Sequence, residues 1–312
     1  LVGSEMCIRA MIKDLSKKYG KTYAVDNLSF TVPDGKITGF LGPNGSGKTT
    51  TMKMMLELAQ KTTGEVLFNG KKYSQFKSPL SEVGSLLEAK SGAKKHTCME
   101  HLKWIAATNG IPSKRVHEVL ELVGLEKAAK KKLGDLSLGM SQRLGLAVAL
   151  LGNPHTLILD EPVNGLDPEG ISWMRGFLGD YAKNGNTVLI SSHLLREMEG
   201  FADYLIVIGK GKMIANSSMT DFIDAAGKKS TLVSSPDSIQ LKTLLHDRGF
   251  EVEDTREADT FVVLDVDPIR ISSLASANDI LLSTLTPQKA SLEQAYMAMT
   301  ENSTEYKAGG EN

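Results

Sequence analysis

The sequence predicts an α/β protein followed by a small α+β domain. Two observations indicate the α/β part: a buried-strand pattern at 36–41 leads into a glycine-rich loop at Gly42–Thr49, and a helix-compatible run at 50–58 follows it. A third observation concerns residues 229–286, where the pattern changes to strand, helix, two strands, helix, strand. That order is typical of the ferredoxin-like, split βαβ arrangement.

Composition is that of a soluble globular protein. The chain has 312 residues, of which 41% are hydrophobic and 23% charged. No apolar run approaches the ~18 residues that a membrane-spanning helix needs. The two cysteines, Cys7 and Cys98, predict a reducing compartment and no disulfide framework. Residues 1–5 are interpreted as a non-native leader, with Met6 as the native start.

Charge is unevenly distributed and predicts a domain boundary near residue 228. Residues 229–312 contain 7 Lys and Arg against 14 Asp and Glu, which leaves 29 against 23 for the rest of the chain. The lysine runs at 94–95 and 130–132 are separate in sequence, so they are interpreted as solvated surface and no nucleic-acid partner is expected.

The loop Gly42-Pro-Asn-Gly-Ser-Gly-Lys-Thr49 has the residue types that hold a nucleoside triphosphate. Glycines allow consecutive backbone N–H groups to face one anion, and Lys48 adds a positive charge for the β- and γ-phosphates. The Thr49 hydroxyl is a hard oxygen ligand suited to Mg²⁺. The predicted phosphate-binding residues are Gly42, Asn44, Gly45, Ser46, Gly47, Lys48, Thr49 and Thr50.

A second helix start, within Leu136-Ser-Leu-Gly-Met140, offers another anion site. The Ser137 hydroxyl and the free backbone N–H groups around Gly139 would attract negative charge at the helix N-terminus. Taken alone, Ser137 can equally be an ordinary helix cap, because serine is favoured at that position.

Two acidic residues and a histidine follow apolar strands. Asp160 ends one strand, where it would coordinate Mg²⁺ beside the phosphate loop, and Glu161 would hold or deprotonate the attacking water. His193 follows the strand at 186–191 and would polarise the γ-phosphate. From these residues alone, two alternatives stay open: the acids cap a turn before Pro162, and His193 has only an ordinary structural contact.

Taken in order, these motifs resemble those of ATP-binding cassette (ABC) ATPases. The matching stretches, in chain order, are Gly42–Thr49 for Walker A, 136–140 for the signature, 157–161 for Walker B with its catalytic glutamate, 165–167 for the D-loop, and His193 for the switch histidine. The signature discriminates most, because other phosphate-loop proteins lack it. The resemblance implies an ABC-type P-loop NTPase fold over residues 6–220, with a mixed-sheet core and a helical subdomain at about 90–152.

The resemblance also implies ATP and Mg²⁺ as cofactors and a head-to-tail dimer. ATP bound at Lys48 of one protomer would be closed by Ser137 and Gly139 of a second copy or of a paralogous ATPase. Tyr19 would stack on the adenine. Thr49 and Asp160 would hold the metal.

Two further expectations come from the family. With no span of its own, the subunit would dock on separate membrane permease subunits, at the cytoplasmic face of the cell membrane. The stretches Leu136–Gly145 and Ser191–Leu195 are similar to bacterial exporters of the bacitracin and lantibiotic self-protection type. That similarity predicts an exporter of a peptide, antibiotic or lipid-like substrate.

The sequence departs from the family pattern at three positions. Leu138 and Met140 replace the third and fifth signature residues, while Ser137 and Gly139 remain. Glu88 stands where a glutamine usually contacts Mg²⁺ and the permease, and the bacitracin and lantibiotic branch is similar in this respect. A carboxylate accepts but does not donate hydrogen bonds. Glu88 is therefore assigned to the metal site and to permease contact as a hypothesis.

The segments after residue 220 are interpreted without catalytic roles. Residues 221–228 are predicted to be a linker, 229–300 an accessory α+β domain, and 301–312 a flexible tail. The accessory domain would regulate, support dimerisation or add stability.

Two rival functions are weighed against transport. Soluble ABC proteins that act on ribosomes resemble two cassettes in one chain, and those that act on DNA have long heptad insertions; this sequence has one phosphate loop and no such insertion. A phosphate-loop kinase would leave the signature at 136–140 unexplained.

Overall fold

The computed structural model describes residues 8–90, 92–226, 230–288 and 292–300. It divides the chain into two compact units, one extending to Met219 and the other beginning at Thr220. The predicted leader at 1–5 and the predicted tail at 301–312 lie outside the described residues.

Within the described residues, the first unit contains two sheets, six helices and several single 3₁₀ turns. Its strands are β1 (Ile8–Tyr19), β2 (Thr22–Pro33), β3 (Ile37–Leu41), β4 (Thr63–Phe68), β5 (Val83–Leu86), β6 (Thr156–Asp160), β7 (Thr187–Ser192), β8 (Tyr204–Gly209) and β9 (Lys212–Ser218). Its helices are α1 (Lys48–Met55), α2 (Cys98–Thr108), α3 (Ser113–Leu122), α4 (Leu138–Leu150), α5 (Pro168–Lys183) and α6 (Leu195–Glu199). The 3₁₀ turns are Tyr73–Gln75, Pro79–Ser81, Glu126–Ala128 and Leu133–Asp135.

The larger sheet positions the functional residues. Its strand order is β5-β6-β7-β3-β8-β9, with parallel pairing throughout except for the antiparallel edge strand β9. Strands β3, β6 and β7 are buried along their whole length, as expected for strands covered on both faces. Because they are parallel, their carboxyl ends meet at one edge, where Asp160 pairs in register with Ser191 and Leu41 with Ser192.

The smaller sheet is antiparallel, in the order β2-β1-β4. Strand β2 alternates buried and exposed residues over much of its length, because one face packs on the core and the other meets solvent. Its buried side chains, including Val25, Leu28 and Phe30, join one hydrophobic cluster with Met52 and Met55 of α1 and with buried side chains of the large sheet. This cluster fixes α1, and so the phosphate loop, against both sheets.

The region predicted as a helical subdomain contains α2, α3 and α4. Helix α2 begins with a capping box, in which Thr97 accepts from the Glu100 backbone and Glu100 accepts from the Thr97 backbone. Helix α4 begins at the signature, with Ser137 as its N-cap. Within the described residues, no helix is long and apolar enough to cross a membrane.

The second unit has the order of elements along the chain that the sequence predicts: strand, helix, two strands, helix, strand. Its elements are β10 (Ser230–Ser234), α8 (Ser238–Asp247), β11 (Val252–Asp254), β12 (Thr260–Leu264), α9 (Pro268–Ala277), β13 (Thr284–Gln288) and α10 (Leu292–Thr300). The sheet order is β11-β12-β10-β13, with all neighbours antiparallel. Val233 and Phe261 of the sheet pack with Leu241 and Leu245 of α8 and with Ile271 of α9.

The start of the second unit differs from the prediction of a linker at 221–228. Helix α7 (Met219–Ala226) occupies most of it, and residues 227–229 are not described. The physical reason is amphipathicity, since Phe222 is buried while Asp224 and Ala225 are exposed.

Candidate functional site

The phosphate loop forms a concave backbone surface at the start of α1. Gly45 and Gly47 have φ values of 80° and 106°, which L side chains rarely adopt. A Cβ atom at Gly47 would also lie 2.5 Å from the Ala24 carbonyl oxygen. No side chain caps α1, so its first N–H groups are available to an anion. A cavity of about 220 Å³ lies here, lined by Ala24, the residues 44–50 and Glu161.

Lys48 is placed in this cavity as a largely buried cation, with 6% of its surface exposed. Its Nζ donates to the Gly42 carbonyl oxygen at 2.6 Å and lies 3.8 Å from Glu161 Oε1. Burial lowers the pKa of Lys48, while the charges of Glu161 and Asp160 act in the opposite direction. The ammonium group is therefore poorly compensated without a ligand and would gain a strong partner in a phosphate.

Asp160 and Thr49 meet at the edge where β6 faces α1. Thr49 Oγ1 donates to Asp160 Oδ2 at 2.6 Å, and the Ser191 hydroxyl donates to Asp160 Oδ1. These contacts leave a hydroxyl oxygen and a carboxylate oxygen adjacent to each other beside the phosphate loop. Such a pair of hard oxygens fits Mg²⁺, which is usually held by one or two protein oxygens together with substrate phosphates and water.

Glu161 is held in an unusual backbone conformation at the end of β6. Its φ is 50°, in the left-handed region that is uncommon for non-glycine residues and that occurs at functional sites. Its backbone N–H donates to Ser191 Oγ at 3.0 Å, and its carbonyl accepts from Gln142 Nε2 at 3.2 Å. Its carboxylate lies between Lys48 and His193, with Oε2 at 2.8 Å from His193 Nδ1. Both predicted catalytic residues, Glu161 and His193, therefore contact each other.

The signature residues form a separate surface. Neither Ser137 nor Gly139 lines the phosphate-loop cavity. Ser137 Oγ accepts from the Met140 backbone N–H at 3.2 Å, so the hydroxyl caps its own helix. Leu138, one of the two departures within the signature, lies over Gly165 so closely that a Cβ there would be 2.1 Å from Leu138 Cδ2.

Tyr19 and Glu88 also lie outside the cavity lining. Tyr19 ends β1, is 57% exposed, and has the Lys17 ammonium 4.8 Å from its ring centroid. Glu88 follows β5 and lines a different groove of about 270 Å³, together with Lys53, Leu58 and Gly145 among others. Within the described residues, the Glu88 carboxylate makes no hydrogen bond with Thr49 or Asp160.

Two residues that the sequence reading left without a role are part of the site. Ser191 forms hydrogen bonds with both Asp160 and Glu161. The sequence held a signal for this role, because Ser191 lies near the end of a buried strand that is parallel to the one ending at Asp160. Gln142, on α4, donates to the carbonyls of Glu161 and Asn164, each at 3.2 Å. No sequence signal identified Gln142, because its contacts depend on how α4 packs against the turn after β6.

Comparison with known families gives two matches. Residues 25–164 match the family described as ABC transporter, and residues 229–293 match one described as a domain of unknown function (DUF8746). The first match spans the phosphate loop, the signature, Asp160 and Glu161.

Named proteins are similar to the chain over a longer stretch than the matched family region. The chain is 42% identical over 248 residues to the bacitracin transport ATP-binding protein BcrA of Enterococcus faecalis, covering 78% of this chain and 80% of that protein. It is 38% identical to the lantibiotic transport ATP-binding protein SrtF of Streptococcus pyogenes, covering 65% and 88%. A Bacillus subtilis protein, YcbN, described as an uncharacterized ABC transporter ATP-binding protein, is 36% identical over 91% of this chain and 94% of its own.

Solved structures agree on the fold of the first unit. One described as the ATP binding subunit of an ABC transporter superposes with a TM-score of 0.63 at 26% identity, covering 70% of this chain and 92% of the other. A nucleotide-free ATP-binding cassette from an ABC transporter gives the same TM-score at 23% identity, covering 70% and 94%.

Proposed function

The chain belongs to the ABC transporter family as an ATP-hydrolysing subunit that powers transport, and from that premise we propose how its own residues perform the reaction. The backbone of residues 42–50 binds the phosphates and Lys48 neutralises their charge. Thr49 and Asp160 hold Mg²⁺. Glu161 positions and deprotonates the attacking water, and His193 contacts the γ-phosphate.

One observation carries this assignment. Two adjacent acids, Asp160 and Glu161, turn in different directions: the first carboxylate contacts Thr49 at the start of α1, and the second contacts Lys48 and His193. Because β6 is buried along its whole length and Glu161 follows it directly, the strand orients both the metal-binding and the water-activating group.

Proton transfer follows from these contacts. In the structure the Glu161 carboxylate contacts Lys48 and His193. A γ-phosphate that takes over Lys48 would free one carboxylate oxygen to accept a proton from water. His193, bonded through Nδ1, would direct its Nε2 side toward the phosphate. When bound, Mg²⁺ would supply charge neutralisation of the phosphate oxygens.

The remaining roles complete the proposal. Ser137 and Gly139 close the nucleotide of a second ATPase subunit in a head-to-tail pair, and Tyr19 stacks on adenine once Lys17 shifts. Glu88, in its groove beside Lys53 and Gly145, contacts a membrane permease. The assembly is then attached to the cytoplasmic face of the membrane through that permease.

The proposed cargo is a peptide antibiotic, moved outward. Support comes from the similarity to BcrA and SrtF, whose names give bacitracin and lantibiotic transport. Expressing this chain with its permease in a sensitive bacterium is expected to raise resistance to bacitracin or to a lantibiotic. Unchanged sensitivity to both compounds, with hydrolysis intact, would contradict the cargo assignment alone.

The catalytic assignment is tested by replacing Glu161. Glu161→Gln keeps the shape but removes the base, so ATP hydrolysis is expected to fall by at least about 100-fold while ATP binding persists and a stable ATP-bound dimer accumulates. Size-exclusion chromatography and phosphate release measure the two effects. The matched control is Glu121→Gln, an exposed glutamate of α3, which should hydrolyse ATP normally. Normal hydrolysis by Glu161→Gln would remove Glu161 from the mechanism.

A further inference from the structure

Two lysine runs that are separate in sequence lie side by side in the fold. The Gly134 backbone N–H donates to the Lys94 carbonyl at 3.0 Å, and the Leu133 N–H donates to the His96 carbonyl at 2.9 Å. Thr97 and Lys132 form an isolated β-bridge. The basic surface defined by this pairing consists of Lys94, Lys95, Lys130, Lys131 and Lys132.

The charges of the basic surface are exposed and poorly compensated. All five lysines are exposed, and within the described part of the chain none of them forms an ion pair. The two strips 94–100 and 126–135 contain six lysines against three acidic residues. One of the acids, Glu100, is already engaged by Thr97 in the capping box of α2. A like-charged cluster without partners loses stability by self-repulsion unless an anion is nearby.

We propose that the basic surface binds the anionic headgroups of a phospholipid membrane. Its charges are all lysines, which are compact, flexible point charges suited to a diffuse layer of headgroups, whereas bidentate recognition of one phosphate favours arginine. Within the described strips 92–100 and 126–135 no Phe, Tyr or Trp is interleaved with the lysines, so base stacking by nucleic acid has no platform. A subunit of a membrane transporter works close to such a surface, and in this choice of partner the proposal rests on the proposed membrane location.

Vesicle binding by the purified full chain tests the proposal without permease, ATP or hydrolysis, so it can fail while the proposed function stands. The chain is expected to co-sediment with vesicles of phosphatidylglycerol and phosphatidylcholine, and not with phosphatidylcholine alone. Raising the salt from about 0.05 M to about 0.5 M should release it, because exposed charges are screened.

Charge-removing variants localise the effect. Each lysine that reaches the vesicle surface should contribute roughly 5-fold to binding. We therefore expect vesicle binding to weaken by more than about 50-fold in the quadruple variant Lys94→Gln, Lys95→Gln, Lys130→Gln and Lys132→Gln. The matched control changes four other exposed lysines of the first unit, Lys13, Lys71, Lys72 and Lys77, to Gln and should bind as wild type. Both variants should hydrolyse ATP normally.

Three outcomes would overturn the proposal: equal losses in both quadruple variants, equal binding to neutral vesicles, or binding to polyglutamate or RNA without binding to phosphatidylglycerol. The last result would assign the basic surface to a macromolecular partner instead.

A second and independent observation concerns Gln142, which we infer to be a positioning residue for Glu161. Its side chain is 5% exposed, and its single NH₂ group donates to the carbonyls of Glu161 and Asn164, at the two ends of the turn after β6. Its Oε1 is buried without a hydrogen-bond partner. A buried acceptor left unpaired costs stability. The value of this amide therefore lies in the two hydrogen bonds that its NH₂ group donates.

The geometry makes Gln142 a link between the signature helix and the catalytic glutamate of the same chain. Glu161 is in the left-handed conformation, where only surrounding contacts keep a non-glycine residue. Because Gln142 lies one turn into α4, a displacement of the signature end would change the hydrogen bond on the Glu161 carbonyl. When this chain's signature closes the nucleotide held by a second subunit, the change would then reach Glu161, the water-positioning group beside the nucleotide that this chain itself holds.

Isosteric variants separate positioning from packing. Gln142→Met keeps the length and removes both N–H donors; kcat is expected to fall by about 10–100-fold with the KM for ATP little changed. The matched control is Gln240→Met, an exposed glutamine of α8, with wild-type kinetics expected. An unchanged kcat in Gln142→Met would overturn the inference.

Gln142→Glu gives a second readout in case the Met variant fails to fold. A buried carboxyl has a raised pKa, and its protonated form can donate to one of the two carbonyls. The activity of this variant relative to wild type should therefore rise as the pH falls from about 8 to about 6. A ratio that stays flat with pH would mean that Gln142 only fills space.

Discussion

The two helix starts that the sequence identifies as anion sites differ in how many anion-binding groups each one brings together. At α1 the glycine loop leaves the first N–H groups uncapped, Lys48, Thr49 and Glu161 line one cavity, and Asp160 accepts a hydrogen bond from Thr49 at its edge. At α4 the Ser137 hydroxyl caps its own helix, and the surrounding residues Leu138 and Gly139 are partly or fully exposed.

This difference fits the proposal that a single chain supplies one half of each catalytic unit. The α1 site has cation, metal ligands and base assembled, which is what binding a triphosphate requires. The α4 site offers only a helix N-terminus and a hydroxyl, too little to hold a phosphate in water by itself. In the proposed head-to-tail pair, it becomes effective when a second subunit brings a nucleotide to it.

The largest expected effect tests the completeness of the α1 site. Lys48→Met should reduce hydrolysis by about 1,000-fold or more, because charge stabilisation at the transferred phosphate is lost. The same change should raise the free energy of unfolding of the nucleotide-free chain by about 1 kcal/mol, since a buried and poorly paired charge is replaced by an apolar group.

The pH dependence of that stability gain checks its cause. The pKa of Lys48 is lower in the folded chain than in the unfolded chain, so the unfolded state binds the proton more tightly. The cost of burying Lys48 is therefore fully present at low pH and decreases as the pH rises through the folded-state pKa toward 10.5. Thermal melts of wild type and Lys48→Met should converge as the pH rises; a gap that widens would contradict this explanation.

A smaller loss is expected at Ser191. Ser191→Ala removes the donor to Asp160 and the acceptor for the Glu161 backbone N–H, so hydrolysis should fall by about 10–100-fold and stability by about 1–3 kcal/mol. Steady-state kinetics and chemical denaturation measure the two effects. Ser172→Ala, an exposed serine of α5, is the matched control. Wild-type kinetics in Ser191→Ala would show that Asp160 is oriented by Thr49 alone.

At the α4 start, Ser137→Ala should cost about 1 kcal/mol of stability through the lost cap. ATP binding to the monomer should stay within about 2-fold, while the ATP-trapped dimer of the Glu161→Gln background should weaken. Asp267→Ala, which removes the N-cap of α9 in the second unit, should cost similar stability with no effect on dimerisation. Equal dimerisation in both variants would refute the half-site interpretation.

The smallest effect on the isolated chain is expected at Glu88, which touches neither site. Glu88→Ala should leave basal hydrolysis within about 2-fold and abolish its stimulation by the permease in reconstituted vesicles. Normal stimulation would remove Glu88 from the permease contact, and a large basal loss would place it at the metal instead.

The sequence predicts much of the fold. In the first unit, the patterns that indicate the buried strands, the glycine loop and the helices depend on residues that are close together in sequence. Asp160 lies at a strand end and Lys48 in the glycine loop that follows a strand, so the local sequence pattern already indicates both. The order of elements in the second unit is equally local. Helix α7 was missed, because a short amphipathic helix beside glycine and lysine has the composition of a linker.

The contacts that distinguish this site could not be predicted, because they join residues that are distant in sequence. Gln142 and Ser191 reach Glu161 only after α4 and β7 have packed, and the left-handed backbone at Glu161 has no composition signal. The same is true of the lysines at 94–95 and 130–132, which sequence reading treated as separate and the fold brings together.

The contact between Leu138 and Gly165 has a consequence for how such chains can change over generations. With leucine at 138, a side chain at 165 would require the Leu138 side chain to move, and the φ of 76° at Gly165 disfavours any L residue there in addition. Substitutions at the two positions are therefore coupled. A larger residue at one position requires a smaller residue at the other. Alanine at 165 should therefore lower activity, and a smaller residue at 138 should restore that activity only in part, because the backbone strain at 165 remains.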